Sequence, residues 1–285
     1  MSSSHQMFST LLYPVLGCCF LGAGACSVAV DQKGQESHRD WELVWSDEFN
    51  YEGFPESGKW DYDVGTGQDG WGNQELQYYT EARQQNARVE DGKLIIEARR
   101  EDWKGSEYTS ARLITKGLAA WTYGRFEIRA KLPDGVGTWP AIWTLPVDWN
   151  LGRGIWPDVG ELDIMEHVGY EPGIVHGSAH SLTYHYRWQS DQQRTSKVKV
   201  ENAVTEFHTY AMEWEADEVR WYVDDKEFYR YTNENTGWEA WPYERDYYLL
   251  LNLAVGGMWG GREGVDRDAF PQRMEVDFVR VYQRL

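Results

Sequence analysis

The sequence predicts an all-β fold arranged as a sandwich or a barrel, and three observations support this. Apolar and polar residues alternate with a period of two along several segments, as they do in strands with one buried face. Clusters rich in Gly and Asp separate these segments and are typical of turns. No long stretch combines helical periodicity with capping residues. Many short strands joined by turns build sandwiches and barrels.

The alternation is clear in two segments of the first half of the chain. Leu94, Ile96 and Ala98 occupy every second position of one segment and are predicted to share a buried face. In residues 125–132 the even positions are apolar, whereas the odd positions carry Arg, Glu or Lys. This second segment is therefore predicted to be a half-buried strand with one charged face.

Two segments of the second half show the same period. Residues 219–223 place two Val and one Trp at odd positions, and Asp224-Asp225 supplies a turn directly afterwards. Residues 276–281 predict another strand. Its two faces would carry Val276, Phe278 and Arg280 on one side and Asp277, Val279 and Val281 on the other.

The length of 285 residues fits one large all-β domain as well as two small ones. No internal repeat and no linker rich in Pro, Gly or Ser divides the chain after residue 40. We therefore predict a single domain over residues 41–285, with enough sequence for a sizeable core.

The charge balance restricts the class of partner. The chain has 28 basic and 46 acidic residues, which gives a formal net charge of −18. This charge argues against nucleic acid, whose phosphates require Lys and Arg, and against adsorption to anionic lipids. A neutral polysaccharide would be indifferent to it, whereas a sulfated one would be repelled.

The N-terminus predicts export. The first 26 residues contain no Lys, Arg, Asp or Glu, and residues 8–25 are apolar, so residues 1–26 are predicted to be an export signal. Ala23-Gly24-Ala25-Cys26 loosely resembles the cleavage site of a bacterial lipoprotein, with Cys26 as the lipidated residue. Val15-Leu16-Gly17-Cys18 is a weaker alternative. A transmembrane helix is disfavoured because the run is short and contains Pro14.

We therefore expect an exported lipoprotein of the outer membrane or cell surface, anchored through Cys26, or otherwise a periplasmic or secreted protein. Residues 27–40 are predicted to be a flexible tether. All three cysteines lie within the first 26 residues. The domain therefore has no disulfide, no cysteine-bound metal and no cysteine nucleophile.

Three carboxylates crowd together at Glu161, Asp163 and Glu166, among apolar positions that predict a buried strand. Gathering this much negative charge is costly unless a site uses it. In a regular strand Glu166 would point away from the other two, but a β-bulge near Ile164 and Met165 would return it to their face. Paired carboxyl groups of this kind serve retaining glycosidases. The alternative is an ordinary strand with one solvated acidic face.

Aromatic residues are abundant, with sixteen Trp and eighteen Tyr. Most of them are expected to pack in the core. Trp71, Trp139 and Trp156, however, stand beside Gly or Pro in predicted loops. Flat aromatic faces at such places suit the apolar faces of pyranose rings, so these three are candidates for sugar binding as well as for packing.

Eight stretches in a fixed order carry a family resemblance. From Trp41 to Gln283 the chain resembles the laminarinases, the endo-β-1,3-glucanases of glycoside hydrolase family 16. The stretches are Trp-Ser-Asp-Glu-Phe (45–49), Gly-Trp-Gly-Asn-Gln-Glu-Leu-Gln-Tyr-Tyr-Thr (70–80), Tyr-Thr-Ser-Ala-Arg (108–112), Trp-Thr-Tyr-Gly-Arg-Phe-Glu (121–127), Gly-Thr-Trp-Pro-Ala-Ile-Trp (137–143), Gly-Glu-Leu-Asp-Ile-Met-Glu-His-Val-Gly-Tyr (160–170), Leu-Asn-Leu-Ala-Val-Gly-Gly (251–257) and Val-Asp-Phe-Val-Arg-Val-Tyr-Gln (276–283).

The acidic stretch itself places the resemblance within the family. Its six-residue spacing, followed by His167-Val168-Gly169, is similar to the laminarinase branch, whereas lichenase-like members have Glu-x-Asp-x-Glu. The chain departs from the family at Gln74, where Asn is usual, and at Met258, where Asn is also usual. Both departures lie near the expected cleft and put fine specificity in doubt.

The resemblance implies a β-jelly roll of two curved antiparallel sheets, with a concave substrate cleft. It implies Glu161 as the nucleophile and Glu166 as the general acid/base, with Asp163 between them. The acid must be protonated when it meets the glycosidic oxygen, which neighbouring negative charge favours. Asp163 can share a proton within the cluster, and the three groups would titrate together.

The resemblance also implies a set of sugar contacts and a metal site. His180 has the alternative of a hydrogen-bonded core histidine, and Trp143 could instead pack beneath the sheet. The implied sugar contacts are Asn73, Arg112, Trp139, Trp143, Trp156 and His180. A structural Ca²⁺ is implied at Glu48, the carbonyl of Gly92, and Asp277, since oxygen ligands suit this ion. No cofactor is needed for glycoside hydrolysis.

The expected function is retaining endo-hydrolysis of β-1,3-glucosidic bonds in laminarin-type β-glucans, by a monomer. The same enzyme class acting on mixed-linkage glucan or on a galactan is an alternative. A non-catalytic β-glucan-binding protein on the same fold is another, but relatives of that kind typically lose catalytic glutamates. Here both Glu161 and Glu166 are present.

Overall fold

β-Strands make up almost all the regular structure of the described residues, which in this computed structural model are 41–185 and 192–284. The predicted export signal with Cys26 and the predicted tether over 27–40 lie outside the described residues. Within the described residues, no helix is long and apolar enough to cross a membrane.

The strands are numbered in chain order. They are β1 (Trp41–Asp47), β2 (Asp61–Tyr62), β3 (Gln77–Tyr79), β4 (Ala87–Glu90), β5 (Lys93–Trp103), β6 (Ser106–Ser110), β7 (Arg112–Ile114), β8 (Gly124–Lys131), β9 (Thr138–Pro146), β10 (Glu161–His167), β11 (Ile174–His180), β12 (Arg194–Lys199), β13 (His208–Trp214), β14 (Glu218–Val223), β15 (Lys226–Thr232), β16 (Tyr247–Val255) and β17 (Gln272–Arg284). Between β2 and β3, Gly70–Gln74 forms a tight turn with left-handed backbone at Trp71 and Gly72.

Two sheets confirm the predicted all-β sandwich. The first has ten strands in the order β15-β14-β13-β8-β17-β5-β6-β3, with β1 also paired to β17 and β4 to β5. The second has seven strands in the order β12-β11-β10-β9-β16-β7-β2. The short pairing of β3 with β6 is parallel, whereas the other strand pairs of the described ranges are antiparallel.

One large apolar cluster lies between the sheets. Alternate residues of β5 and β8, among them Leu94 and Phe126, enter it from the ten-stranded sheet, as the period of two predicts. From the seven-stranded sheet, Ile142 and Leu162 enter it. The neighbours of these last two therefore point to the other face of that sheet, which we call the cleft face.

The charged face of β8 is less solvated than predicted. Arg125 and Glu127 are only 3% and 6% exposed. The Arg125 guanidinium donates to Glu127 at 2.6 Å, to Glu213 of β13 at 2.7 Å and to Asp225 at 3.0 Å. The charged face is confirmed, but the prediction of a half-buried strand was wrong at Arg125 and Glu127, because these ion pairs satisfy the buried charges.

Of the two strand segments predicted in the second half of the chain, 219–225 agrees with the structure and 276–281 does not. Asp224 and Asp225 have φ values of 49° and 61° and join β14 to β15 as a two-residue hairpin turn, so the predicted turn is confirmed. The regular alternation predicted for 276–281 was wrong. The register of β17 against β8 shifts between Val276 and Phe278, and consequently Phe278 is half-buried while Val279 is fully buried.

Candidate active site

One extra residue in β10 brings Glu166 to the face of Glu161 and Asp163. Against β11, Asp163 pairs with Ser178 but Glu166 pairs with His176, so three steps on β10 match two on its neighbour. The register against β9 shifts at the same place. The predicted bulge is therefore confirmed, and both residues inside it, Ile164 and Met165, are buried.

A glycine fixes the point at which the chain enters this strand. Gly160 has a φ of 85°, in the left-handed region that side chains rarely adopt. A Cβ at this position would lie 2.7 Å from Pro242 Cγ. Glu161 therefore follows a backbone position that only glycine satisfies without strain.

Each of the three carboxylates has a ring nitrogen as its partner. Trp156 Nε1 donates to Glu161 Oε2 at 3.1 Å, and Trp139 Nε1 donates to Glu166 Oε1 at 3.1 Å. His180 Nε2 lies 3.1 Å from Asp163 Oδ2 and 3.9 Å from Glu161 Oε1. The two outer carboxylates are partly exposed, whereas the central Asp163 is buried.

Burial sets the protonation of this cluster. It raises the pKa of Glu161 well above its usual range, and the negative charge of Asp163 raises it further. The same two causes raise the pKa of Glu166 to about 8, and burial raises the pKa of Asp163 to about 8. His180 lowers the pKa of both glutamates. A raised pKa at Glu166 favours a proton on this group near neutral pH, as an acid catalyst requires.

Aromatic rings flank the carboxylates on both sides. The Trp139 ring meets that of Trp259 edge-to-face at 5.5 Å between centroids, and Trp259 meets His176 at 4.9 Å. On the other side, the Trp156 ring lies 5.9 Å from that of His180. Both indoles that donate to the glutamates are thus held by further ring contacts.

Arg112 lies between two indoles on the cleft face. Its guanidinium carbon is 4.6 Å from the Trp71 ring centroid and 4.7 Å from that of Trp143. Its Nε is 2.9 Å from Asp63 Oδ2. Trp143 lies opposite Asp163 in the sheet and is partly exposed. Trp143 also packs against a small apolar cluster that includes Leu145 and Tyr248, so its sugar contact stays a prediction.

Comparison with known proteins decides the family. A model described as "Glycosyl hydrolases family 16" matches residues 74–280, which contain the whole carboxylate cluster. The chain belongs to glycosyl hydrolase family 16. It is therefore a glycoside hydrolase, with the β-jelly-roll fold that the sequence predicted.

Individual relatives agree with this assignment. The chain is 54% identical over 278 residues to "Beta-glucanase" of Rhodothermus marinus, which covers 96% of this chain and 93% of the relative. The solved structure of the laminarinase from Rhodothermus marinus has a TM-score of 0.83 at 56% identity, over 86% of this chain and 98% of that one. A non-specific endo-β-1,3(4)-glucanase named SCLam, from family GH16, has a TM-score of 0.80 at 44% identity, over 87% of this chain and 92% of that one.

One departure from the usual family 16 pattern, Met258, binds the residue next to the other, Gln74. The backbone N–H of Met258 donates to the carbonyl of Asn73 at 2.7 Å. Gln74 has a φ of 59°, a conformation that Asn adopts more readily than Gln, and both Gln74 and Met258 are exposed. The predicted sugar contact Asn73 therefore stands where the chain differs from its family.

Three residues of the site escaped the sequence analysis. Trp259 packs against Trp139, while Glu75 and Asn252 make hydrogen bonds to the predicted site residues Asn73 and Trp143. Asn252 could have been found, because it is the single amide in the otherwise apolar and aromatic strand β16. Glu75 and Trp259 had no signal beyond their place in family motifs.

The predicted calcium ligands have suitable oxygen atoms, but arginines already pair with the carboxylates. Both oxygens of Glu48 accept from Arg280, at 2.9 and 2.7 Å. Asp277 Oδ2 accepts from Arg129 at 2.5 Å. Gly92 lies in the turn between β4 and β5. A calcium ion at Glu48 would compete with Arg280 for both carboxylate oxygens, and the site stays a prediction.

Proposed function

We propose that this family 16 enzyme cleaves internal β-1,3-glucosidic bonds of laminarin-type glucans and retains the anomeric configuration. One observation carries the proposal: the bulge in β10 places Glu161 and Glu166 on one face, each with its own indole donor. Two carboxyl groups flanking one bond are the machinery of glycoside hydrolysis. The β-glucan substrate is supported by the names of the relatives, a β-glucanase and a laminarinase.

The first step forms a glycosyl-enzyme. Protonated Glu166 gives its proton to the glycosidic oxygen while a carboxylate oxygen of Glu161 attacks the anomeric carbon. The bond between that carbon and the leaving oxygen breaks, and the shortened glucan leaves as an alcohol. An ester between Glu161 and the sugar remains, and Glu166 is now ionised.

The second step returns the enzyme to its starting state. The Glu166 carboxylate removes a proton from water, the water oxygen attacks the anomeric carbon, and the Glu161 carboxylate leaves. Two displacements on one carbon give net retention. Asp163, buried between the two and next to His180, holds charge or a proton as each glutamate changes state.

One incubation series tests the substrate. The purified enzyme is given laminarin, lichenan, agarose or κ-carrageenan, and the product sizes are followed over time. We expect laminarin to be cut into a range of oligosaccharides, and proton NMR to show the β-anomer first. Faster cleavage of lichenan would favour the mixed-linkage alternative, cleavage of agarose a galactan. Binding of laminarin without cleavage would indicate a binding protein.

We also propose that the protein is exported and lipid-anchored through Cys26. The apolar N-terminus without charged residues supports this location. A large polymer does not cross a membrane unaided, so the proposed glucan substrate also favours an enzyme outside the cytoplasm.

A further inference from the structure

We propose that Glu75 is a positioning residue for sugar binding. Its carboxylate is the fixed acceptor at the end of a hydrogen-bond chain that orients Asn252 and Trp143 on the cleft face. The proposal rests on the proposed glucanase function, because it concerns the side chains that would bind the glucan.

The chain has three links. Trp143 Nε1 donates to Asn252 Oδ1 at 2.7 Å, and Asn252 Nδ2 donates to Tyr79 Oη at 3.1 Å. Tyr79 Oη in turn donates to Glu75 Oε2 at 3.2 Å. Asn252 is 6% exposed and Tyr79 is fully buried, so the inner links are shielded from bulk water.

The two ends fix the direction of every link. An indole N–H can only donate. Burial raises the pKa of Glu75, but hydrogen bonds from Gln77, Asn73 and Tyr79 lower it and favour the ionised carboxylate, which can only accept. The Asn252 amide must therefore present its oxygen to Trp143 and its nitrogen to Tyr79. The Tyr79 hydroxyl, which accepts from Asn252, has its proton left for Glu75. Without the Glu75 carboxylate, the Tyr79 hydroxyl loses the acceptor of its proton and the chain loses its anchored end.

Glu75 also holds the loop that faces this part of the sheet. Gln77 Nε2 donates to Glu75 Oε2 at 2.7 Å, and Asn73 Nδ2 donates to Glu75 Oε1 at 3.4 Å. The Gln77 amide oxygen accepts from the backbone N–H of Val255, at the end of β16, at 2.7 Å. One carboxylate therefore ties the predicted sugar contact on the loop, Asn73, to the one on the sheet, Trp143.

Trp143 connects the hydrogen-bond chain to Arg112, a further predicted sugar contact. The Arg112 guanidinium is stacked between Trp143 and Trp71, so the orientation of the Trp143 indole limits where the guanidinium can lie. Loss of the chain should loosen Trp143 and Arg112 together. The carboxylates of β10 keep their own partners, and the chemical step should therefore suffer less than binding.

A purely structural role makes a different prediction from a positioning role. A structural hydrogen bond supports the fold, so its loss lowers the melting temperature and leaves the KM of the surviving folded enzyme unchanged. A positioning residue also changes KM and the dissociation constant of the sugar. Tyr51→Phe is a matched control, because Tyr51 Oη also donates to a carboxylate, Asp47 at 2.9 Å, and accepts from an N–H, that of Glu56 at 3.1 Å.

The experiment measures binding of a linear β-1,3-linked glucose tetramer by calorimetry in a Glu161→Ala background. Tyr79→Phe and Glu75→Ala should each raise the dissociation constant about tenfold, the equivalent of one or two lost hydrogen bonds. Glu75→Gln retains an acceptor oxygen and should recover part of the affinity. In the active enzyme, Tyr79→Phe and Glu75→Ala should raise KM more than they lower kcat. Tyr51→Phe should lower the melting temperature without changing either constant.

The outcomes separate this proposal from the one it rests on. Unchanged affinity in both Tyr79→Phe and Glu75→Ala would overturn the positioning role while leaving the glucanase function intact. A loss of affinity of the same size in Tyr51→Phe would also overturn it, because the effect would then be general destabilisation. If the Glu161→Ala parent does not bind the tetramer and the wild type does not cleave laminarin, both proposals fail.

Discussion

His180 Nε2 lies 3.1 Å from Asp163 Oδ2, and the His180 backbone pairs with that of Glu161 on the adjacent strand. The imidazole therefore belongs to the carboxylate cluster, and its contact with sugar stays a prediction. It contacts the central acid and lowers the pKa of both glutamates. Asp163 raises those same pKa values, so the pair Asp163–His180 exerts opposing influences on the two catalytic groups.

Replacing Asp163 should move the pH profile in a defined direction. The negative charge of Asp163 helps to raise the pKa of Glu166 to about 8, so Asp163→Asn should lower it. Glu166 acts as an acid, and the alkaline limb of kcat/KM should therefore shift to lower pH. We expect a loss of roughly 10- to 100-fold in kcat, less than for either glutamate. An alkaline limb that stays in place would contradict this assignment.

The two indole donors should control opposite limbs of the same profile. Each donates to the ionised form of a carboxylate and so lowers the pKa of that group. Trp139→Phe should raise the pKa of Glu166 and move the alkaline limb to higher pH. Trp156→Phe should raise the pKa of Glu161 and move the acidic limb to higher pH. The pH dependence of kcat/KM on laminarin checks both, and identical shifts in the two variants would contradict the division of roles.

The two glutamates should differ in their rescue by azide. Glu161→Ala removes the nucleophile, so azide can attack from the vacated side and give an α-glycosyl azide. Glu166→Ala retains the nucleophile, so a substrate with a good leaving group should still form the ester, which azide converts to a β-glycosyl azide. NMR of the products distinguishes the two. Exchanged products would reverse the roles, and near-normal laminarin hydrolysis in both variants would place the active site elsewhere.

Calcium should compete with an arginine if it binds at Asp277. Because a ligand bound only by the native state stabilises it, added calcium should raise the melting temperature of the wild type. Arg129→Ala frees Asp277 and should enlarge this rise, whereas Asp277→Ala should abolish it. The melting temperature is measured with calcium and with a chelator. An equal response in the wild type and Asp277→Ala would rule out this ligand.

The lipid anchor can be tested by cell fractionation. Cys26→Ser removes the residue that would carry the acyl chains, so the protein should move from the membrane fraction to the soluble fraction of a bacterial host. Cys18→Ser, at the weaker alternative site, serves as the control and should leave the distribution unchanged. A wild type that is already fully soluble outside the cell would refute the anchor.

Local patterns predicted the fold where one face of a strand meets the core. In β5, β8 and β14 the alternate apolar residues enter the core cluster as predicted, because successive side chains of a strand point to opposite faces. The buried charges of β8 escaped prediction because their partner is remote: Arg125 and Glu213 are 88 positions apart. The bulge in β17 also escaped, because no cluster of reactive side chains marks it.

The chemistry of the site was more predictable than its supports. A site that uses Glu161, Asp163 and Glu166 together needs them on one face, and this requirement predicted the bulge in β10 from the sequence. The chain of hydrogen bonds to Glu75 had no such signal. Its links join Trp143 to Asn252 across 109 positions and Asn252 to Tyr79 across 173. Contacts of this kind depend on the topology of the whole sheet.

Because of the bulge, β10 could lose one residue and still present its three carboxylates on one face. If Met165 were deleted, Glu161, Asp163 and the glutamate now numbered 166 would fall on every second position, and a regular strand would still present all three on one side. The spacing Glu-x-Asp-x-Glu and the spacing found here therefore differ by one residue. In both, the acid/base glutamate lies on the same face as the nucleophile. The activity of the Met165 deletion variant therefore measures what the bulge itself contributes.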